Sequence, residues 1–245
     1  MLFRSMERND TLTDLLANWR LWLLGALVGA LLGWLTFQLF PPDYRARATV
    51  VMDLNLEESW DLVPDRELFQ VTFRETEKLE ALAWSDAVLG AVAAQTGDMD
   101  LQRLRREVLQ LSQPADGAWR LYADHPDAAR AVSLAAAWAE AFVAAAQQAR
   151  TVSADLESAR AQLSALAAEG AEFSDVEVQR VFQEINFLLE HSEGISFYTD
   201  PHLSQSEGIL VGRAPSQASY LLAGSLIGAL GLALFNLLGL WPRTR

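Results

Sequence analysis

Side chains that could catalyse a reaction or hold a metal ion are few and isolated in this sequence. The three histidines, His125, His191 and His202, stand in polar segments and lack the H-E-x-x-H spacing that places two imidazoles on one helix face. Cysteine is absent, and so are the G-x-S-x-G nucleophile turn and the G-x-x-x-x-G-K-S/T phosphate loop. The carboxylates of Glu57 and Glu58 could do acid–base chemistry, but in so acidic a chain we interpret them as a solvated face. The sequence therefore predicts a non-enzymatic protein with no metal and no cofactor.

The charge balance excludes one class of partner. The chain carries 32 acidic and 19 basic side chains, which gives a formal net charge of −13. Nucleic acids bind to basic surfaces, so we expect no nucleic-acid partner. Anionic lipid headgroups are likewise expected to repel a domain of this net charge.

Two long uncharged stretches lie near the ends of the chain, at residues 21–40 and 219–241. About 20 apolar residues in a helix cover the roughly 30 Å hydrocarbon core of a bilayer. A cleaved signal peptide is the alternative for the first stretch, but that stretch is longer than a signal core of about 7–15 residues and has no cleavage motif. A buried core helix is the alternative for the second. We expect both stretches to be transmembrane helices in contact with membrane lipid.

An even number of spans places both termini on the same side of the membrane. Arginines precede the first stretch and follow the second, as is typical of cytoplasmic segments, although two more lie just past the first. We therefore expect a multi-pass protein of the plasma (inner) membrane, with cytoplasmic termini and a periplasmic central domain. The predicted segments are a cytoplasmic lead (1–18), a first transmembrane helix (19–40), an extracytoplasmic domain (41–218), a second transmembrane helix (219–241) and a cytoplasmic tail (242–245).

The central domain combines short strands with long helices, so the predicted fold class is α+β, mostly helical, with a small sheet and a long helical hairpin. Alternating and β-branched residues predict a strand over 45–53. Turn residues separate two further predicted strands, which would form a hairpin in the same sheet. Ser85 is placed to cap a helix that stops near Gly97. The remaining predictions are a loop over 55–66, one or two helices over 79–97, the hairpin strands over 104–111 and 119–122, and a short strand over 209–211.

A long helical hairpin is predicted for residues 126–191. Pro126 opens an alanine-rich helix of ~40 residues without interior glycine or proline, which Gly170 interrupts. Ser174 and Glu177 form a capping-box pattern that opens a second helix. Apolar residues in both helices step by three and four, as in a coiled coil, and the sequence leaves open whether they fill one domain's core or also meet a neighbouring subunit. The predicted seam residues are Val152, Leu156, Leu163, Leu166, Val178, Ile185 and Leu188.

Glycines recur every four residues in both apolar stretches. Gly25, Gly29 and Gly33 share one face of the first helix, and Gly224 and Gly228 share one face of the second. Small residues at this spacing let helix backbones approach closely in lipid, where hydrophobicity cannot drive association. The alternative explanation is that glycine is common in membrane spans. We predict a packing face whose partner is the other span, a second copy or another membrane protein.

The order of motifs along the chain resembles that of the chain-length determinant proteins, the Wzz-type polysaccharide co-polymerases. The first span ends at residues 41–46 (PPDYRA), and a strand follows. Residues 85–92 (SDAVLGAV) are similar to the family's S-x-x-V-L-x-x-V helix, and residues 124–129 (DHPDAA) to the D-P-x-x-A-A segment that opens its long helix. A second span then closes the chain. Each motif is short, and the resemblance depends on their order over nearly the whole length.

This resemblance implies an α/β base domain beside the membrane, a helical arm and ring-like homo-oligomers. It also implies a non-enzymatic function, which is to regulate the chain length or export of a lipid-linked surface polysaccharide (O-antigen, capsule or exopolysaccharide) together with a membrane polymerase. The nascent polysaccharide would be a further partner. Two features depart from the family: its proline-rich stretch is reduced to residues 213–216 (RAPS), and the compact outer domain predicts a short arm.

Two other functions compete with this one. Some proteins of the group carry or activate a cytoplasmic tyrosine autokinase in exopolysaccharide export, so the alternative function is a membrane adaptor for such a kinase. The kinase would be a separate chain, because residues 242–245 contain no phosphate loop or tyrosine cluster. Co-purification of a nucleotide-binding partner would favour the adaptor. The third hypothesis is a sensory domain for a small ligand, for which we find no cytoplasmic output domain.

Overall fold

The chain divides into two units in a computed structural model. One unit contains both ends, Met1–Asp43 and Gly212–Arg245, and the other is the continuous segment Tyr44–Val211. The residues that the structure describes are 19–54, 65–97, 100–112, 114–115, 117–169, 175–204 and 208–237. In chain order, their elements are α1 (Trp19–Leu39), β1 (Tyr44–Asp53), α2 (Asp65–Ala83), α3 (Asp86–Thr96), α4 (Leu101–Arg103), a π-helical turn (Leu104–Val108), β2 (Leu109–Leu111), β3 (Ala118–His125), α5 (Ala128–Ala168), α6 (Val176–Glu190), β4 (Asp200–Leu203), β5 (Ile209–Arg213) and α7 (Gln217–Leu237).

The unit that contains both ends is a pair of apolar helices. α1 and α7 have 21 residues each, and the first-turn Arg20 is their only charged residue. Glycines from the two helices meet in reverse order along the chain, so the helices are antiparallel. α1 agrees with the predicted span, whereas α7 begins two residues before the predicted one. The predicted lead (1–18), the end of the second span (238–241) and the tail (242–245) lie outside the described residues.

The second unit is built on a small sheet. Its strand order is β2-β3-β1-β4 with antiparallel pairing, and β5 pairs with β1 off this path. Successive side chains of a strand point to opposite faces, and the buried residues of β1 are the even-numbered ones from Ala46 to Met52. The predicted strands over 45–53, 119–122 and 209–211 and the α+β fold class are therefore confirmed.

The long helix α5 covers the buried face of the sheet and forms the core with it. Trp138 is fully buried on this helix, and its indole Nε1 donates a hydrogen bond to the carbonyl oxygen of Ala83 at 3.0 Å. Its ring lies 4.8 Å from that of Trp84. Phe142, one turn further along α5, meets Trp119 of β3 edge to face, with the ring centroids 6.1 Å apart. Aromatic contacts of this kind bury large apolar areas and fix the position of α5 on the sheet.

Side-chain caps fix the starts of the two helices that the sequence marked most clearly. Ser85 Oγ accepts the backbone N–H of the third residue of α3 at 3.3 Å, and this helix ends before Gly97, whose φ of 80° is favourable only for glycine. Asp127 Oδ1 accepts the N–H of Arg130 at 2.9 Å. Because Asp127 is the cap, α5 begins at the residue after it and not at Pro126. The predicted helix is otherwise confirmed over its 41 residues.

The predicted strand over 104–111 is wrong for most of its length. Leu104–Val108 forms a π-helical turn that continues α4, and only Leu109–Leu111 is a strand. The cause lies in the spacing of the buried residues, because Leu104 and Val108 are four apart and lie on one side of a helix. Asp100 Oδ1 also caps the preceding turn by accepting the N–H of Gln102 at 3.2 Å. Two successive buried residues, Val108 and Leu109, resemble a strand only at the end of this segment.

Three smaller predictions change at element ends. The loop over 55–66 lies mostly outside the described residues, and α2 already begins at Asp65. Ser174 also lies outside them; Asp175 is at the cap position of α6 and makes no capping side-chain hydrogen bond. β4 was not predicted, because Pro201 breaks the strand pattern. Its only sheet neighbour in the main strand order is β1, and an edge position tolerates proline.

Candidate functional site

The candidate site is the contact between α1 and α7. A Cβ atom added to Gly25 would lie 2.6 Å from the carbonyl oxygen of Gly228, which is far inside van der Waals contact. One added to Gly228 would lie 2.9 Å from the Cα of Gly29. Gly29 also contacts the backbone of Gly224, and Gly33 contacts that of Tyr220. Of the partners that the sequence left open, the structure brings together the two spans themselves.

The outer sides of this helix pair are strongly apolar. Leu27 is 65% exposed, Leu222 72% and Ile227 70%, and several other large aliphatic side chains of both helices are about half exposed. Monomeric proteins in water rarely expose a contiguous apolar surface of this size. A helical pair that satisfies its backbone hydrogen bonds internally is compatible with insertion into a membrane.

Length and composition alone admit three membrane spans and not the two that were expected. The third candidate is α5, in which 44% of the apolar window is buried, against 11% for α1 and 0% for α7. Many alanines and large side chains in the first half of α5 are buried in the core of the second unit. A substantial part of its apolar surface is therefore buried in protein, whereas little of the surface of α1 and α7 is.

Backbone contacts tie the end of α1 to the start of α7. The guanidinium of Arg213 donates to the carbonyl oxygen of Pro42 at 2.7 Å, and the N–H of Ala214 donates to the carbonyl oxygen of Asp43 at 3.1 Å. Phe37 and Tyr220 meet edge to face just inside this clamp, with 5.5 Å between ring centroids. The segment before α7 is thus fixed to the residues that follow α1.

The predicted seam of the helical hairpin is a second, smaller cluster separate from the main core. Leu156, Ile185 and Leu188 are buried there together with Ala159 and Val181. Further predicted residues, Val152, Leu163 and Leu166, pack partly buried against this cluster, and Val178 is buried but does not belong to it. The cluster lies within one chain, so the stripes that the sequence predicted do meet each other across α5 and α6.

The histidines of the sequence have structural contacts instead of a shared site. His125 Nδ1 accepts the N–H of Asp127 at 2.9 Å, and His191 lies 2.7 Å from the carbonyl oxygen of Phe187. His202 is exposed on β4. Among the described residues, no group of histidine and carboxylate side chains could hold a metal ion. Glu57 and Glu58 lie outside those residues.

Polar side chains that sequence analysis did not single out hold the segment after α6. The buried carboxylate of Glu75 accepts the N–H of Ser196 at 2.9 Å and pairs with Lys78 at 2.8 Å. Ser153 Oγ donates to the carbonyl oxygen of Ile195 at 2.5 Å. Arg150 donates to a further backbone carbonyl in this segment and pairs with an aspartate at 2.9 Å. The contacts of Glu75, Ser153 and Arg150 with this segment join residues 42 to 121 positions apart in the chain, so no local sequence pattern predicts them.

No protein-family model matches this chain, and no curated protein matches it significantly. The features that bear on function are therefore the two apolar helices and the unit between them.

Proposed function

We propose that this protein is a non-enzymatic, membrane-anchored scaffold that regulates the chain length or export of a lipid-linked surface polysaccharide. It would act with a membrane polymerase, as the resemblance to the chain-length determinant proteins implies. The observation that carries the proposal is the glycine contact between two apolar helices from opposite ends of the chain, Gly25 and Gly29 against Gly228 and Gly224. This contact joins α1 and α7 into one membrane anchor. The α+β unit is connected to that anchor through the chain at both of its ends.

We infer the topology from how much of each apolar helix is buried in protein. α1 and α7 are the membrane spans, and α5 belongs to the outer unit, because only α5 buries a large part of its apolar surface in protein. Both termini are then cytoplasmic, and the α+β unit is periplasmic at the inner membrane. The protein works as a homo-oligomer in which base units pack side by side around a common axis.

The proposed mechanism needs geometry and no reactive group. The clamp between Arg213 and Pro42 and the glycine contact fix the two membrane helices with respect to each other. The hairpin of α5 and α6, which has its own apolar cluster, would serve as the short arm. An assembly of such units presents a surface of fixed size to the polymerase and its growing product, and that size sets how far polymerisation proceeds.

A bulky residue in the glycine contact tests this proposal. Gly29→Leu places a side chain against the backbone of Gly224, whereas Gly231→Leu adds the same side chain to α7 at a position with nothing within 4 Å. In cells that carry each variant in place of the wild-type gene, Gly29→Leu should change the banding of the surface polysaccharide on a gel. Gly231→Leu should leave it unchanged. Wild-type banding in both variants, or in a strain without the gene, would refute the proposal.

A further inference from the structure

The sheet has a second face, which α5 does not cover. The even-numbered residues of β1 face α5, so Arg45, Arg47, Thr49 and Val51 point to the opposite side. These residues are half-buried. This open face therefore begins with two arginines at the end of β1 that follows α1.

The register of β3 brings more basic and polar side chains to the same face. Residues directly opposite each other in an antiparallel pair point to the same side, and Tyr122 lies opposite Arg47, while Arg120 lies opposite Thr49. Asp124 lies opposite Arg45. We call Arg45, Arg47, Arg120 and Tyr122 the arginine face.

Arg45 and its partner form the fixed edge of the arginine face. Its Nε lies 2.7 Å from one carboxylate oxygen of Asp124 and its Nη2 2.5 Å from the other, which is the bidentate geometry of a strong pair. The hydrogen bonds that the guanidinium donates to the Asp124 carboxylate raise the pKa of Arg45. The same guanidinium lies 5.6 Å from the ring centroid of Tyr122. The charge of Arg45 is thus neutralised, and its guanidinium packs against Tyr122, which lies opposite Arg47.

Arg47 and Arg120 have no such partner. In the part of the chain that the structure describes, neither makes an ion pair, and the Nε of Arg47 is shielded from water without a hydrogen-bond acceptor. A shielded donor that lacks an acceptor is costly, and each such group in a folded protein calls for an explanation. Diagonal neighbours in a sheet are about 7–8 Å apart, so two arginine side chains at these positions can converge on one anion.

The arginine face concentrates basic side chains on a protein that is acidic as a whole. The chain has a net charge of −13, from which repulsion of anionic headgroups was expected. The nearest acidic pair of β1 and β4, Asp53 opposite Asp200, lies at the other end of the strand. The basic end of β1 is therefore also the end that joins α1.

We propose that the arginine face binds a phosphate or pyrophosphate ester. The planar fork of arginine matches the oxygens of a phosphate group, and two unpaired arginines can share its charge. From Leu39, where α1 ends, to Tyr44 the extended chain spans at most about 17 Å. If α1 is a membrane span, as the proposed function holds, no more than this length of chain separates that span from β1. The phosphate is then carried by a phospholipid headgroup or by the pyrophosphate of a lipid-linked saccharide.

Calorimetric titration of the full chain in phosphatidylcholine nanodiscs with sodium pyrophosphate tests the site. We expect saturable binding, and the double variant Arg47→Gln with Arg120→Gln should weaken it at least roughly tenfold. The double variant Arg103→Gln with Arg160→Gln removes the same charge from exposed helix positions and should bind like the wild type. Replacing Arg47 and Arg120 by lysine keeps the charge but not the fork, so binding should be intermediate. Thermal unfolding of each variant checks that the fold is retained.

Nanodiscs that also contain phosphatidylglycerol distinguish the two sources of phosphate. If phospholipid headgroups occupy the arginine face, the apparent affinity of the wild type for pyrophosphate falls in these discs. If the face is selective for pyrophosphate, the affinity is unchanged. Absence of saturable binding, or equal binding by the wild type and the double glutamine variant, would overturn the proposal. Because the titration involves no polysaccharide, that result would leave the scaffold function standing.

Discussion

Individual polar residues in this protein mainly hold backbone in place. Glu75, which is 7% exposed, and Ser153, which is 9% exposed, both bind main-chain groups of the segment that leaves α6. A buried carboxylate with two hydrogen-bond partners is often a catalytic candidate. Here its partners are Lys78 and a backbone N–H, which gives it a structural explanation. We interpret these residues as the joints between the helical hairpin and the sheet.

The cap of α5 should make stability depend on pH. The backbone N–H of Arg130 donates to Asp127 and lowers the pKa of that carboxyl. Because its pKa is lower in the folded chain than in the unfolded one, the ionised cap stabilises the fold above about pH 4, and the effect is lost as the pH falls through the folded pKa. Asp127→Asn keeps an acceptor without the charge, so it should unfold at a lower temperature than the wild type at pH 7, with the difference vanishing in acid.

Asp155→Asn removes the same charge from the middle of α5 and serves as the control for thermal unfolding from pH 7 to pH 3. It should not reproduce the effect, since it lies far from the amino end of the helix. A difference between Asp127→Asn and the wild type that does not change with pH would contradict this account of the cap.

At the scale of elements, the helical hairpin has a smaller apolar cluster than the rest of the second unit. The main core joins α2, α3, α5 and the sheet in one cluster that includes the fully buried Trp138 and Phe142. The far half of α5 and α6 share only the small cluster around Leu156, Val181 and Ile185. Regions with few buried contacts open at a lower free energy than the core, so the hairpin should open by itself.

Leu156→Ala should loosen the hairpin and leave the sheet intact. Leu156 is 7% exposed, and truncating a buried leucine to alanine costs about 2–5 kcal/mol. Hydrogen exchange of the full chain in detergent should become faster in α6 and in the half of α5 that faces it. Exchange in β1 and β3 should not change. Val176→Ala alters a side chain of α6 that is 84% exposed and should behave like the wild type. Equal acceleration in the sheet would show that the hairpin and the sheet unfold as one cooperative unit.

At the scale of the whole molecule, the two ends of the chain form one helix pair, and the segment between them forms a unit with its own core. Each end of the central unit therefore continues along the chain into one helix of that pair. Long domains between membrane spans are translocated largely regardless of their charge. The proposed topology therefore predicts which parts of the chain a protease added outside the cell can cleave.

Tags at the two termini test that topology in intact spheroplasts. Added protease should cleave the central unit and leave both tags uncut, and the chain should stay with the membrane after a carbonate wash. Deleting residues 217–237 removes one span, so the carboxyl-terminal tag should become accessible in that control. Release of the full chain by carbonate, or cleavage of either terminal tag from outside, would refute membrane anchoring with cytoplasmic termini.

Local patterns in the sequence were sufficient for several elements. Uncharged runs of about 20 residues gave α1 and α7, because a helix of that length with no charge has a strong compositional signal. The alternation in β1 and the cap at Ser85 are likewise signals within a few neighbouring residues. The segment at Leu104–Val108 was misread because short apolar runs fit a strand and a helical turn equally well.

The sequence by itself determined the glycine spacing, the heptad-like stripes of α5 and α6 and the acidic balance of the chain. Only the tertiary structure decided which residues meet across distant segments. Gly25 contacts Gly228, and the Glu75 carboxylate accepts the N–H of Ser196. Arg47 and Arg120 are diagonal neighbours on the face of the sheet that α5 does not cover. The physical reason is that a helix or a strand fixes the spacing of its own side chains, while contacts between distant segments depend on how whole elements pack. Those contacts carry the proposed anchoring and the proposed phosphate site.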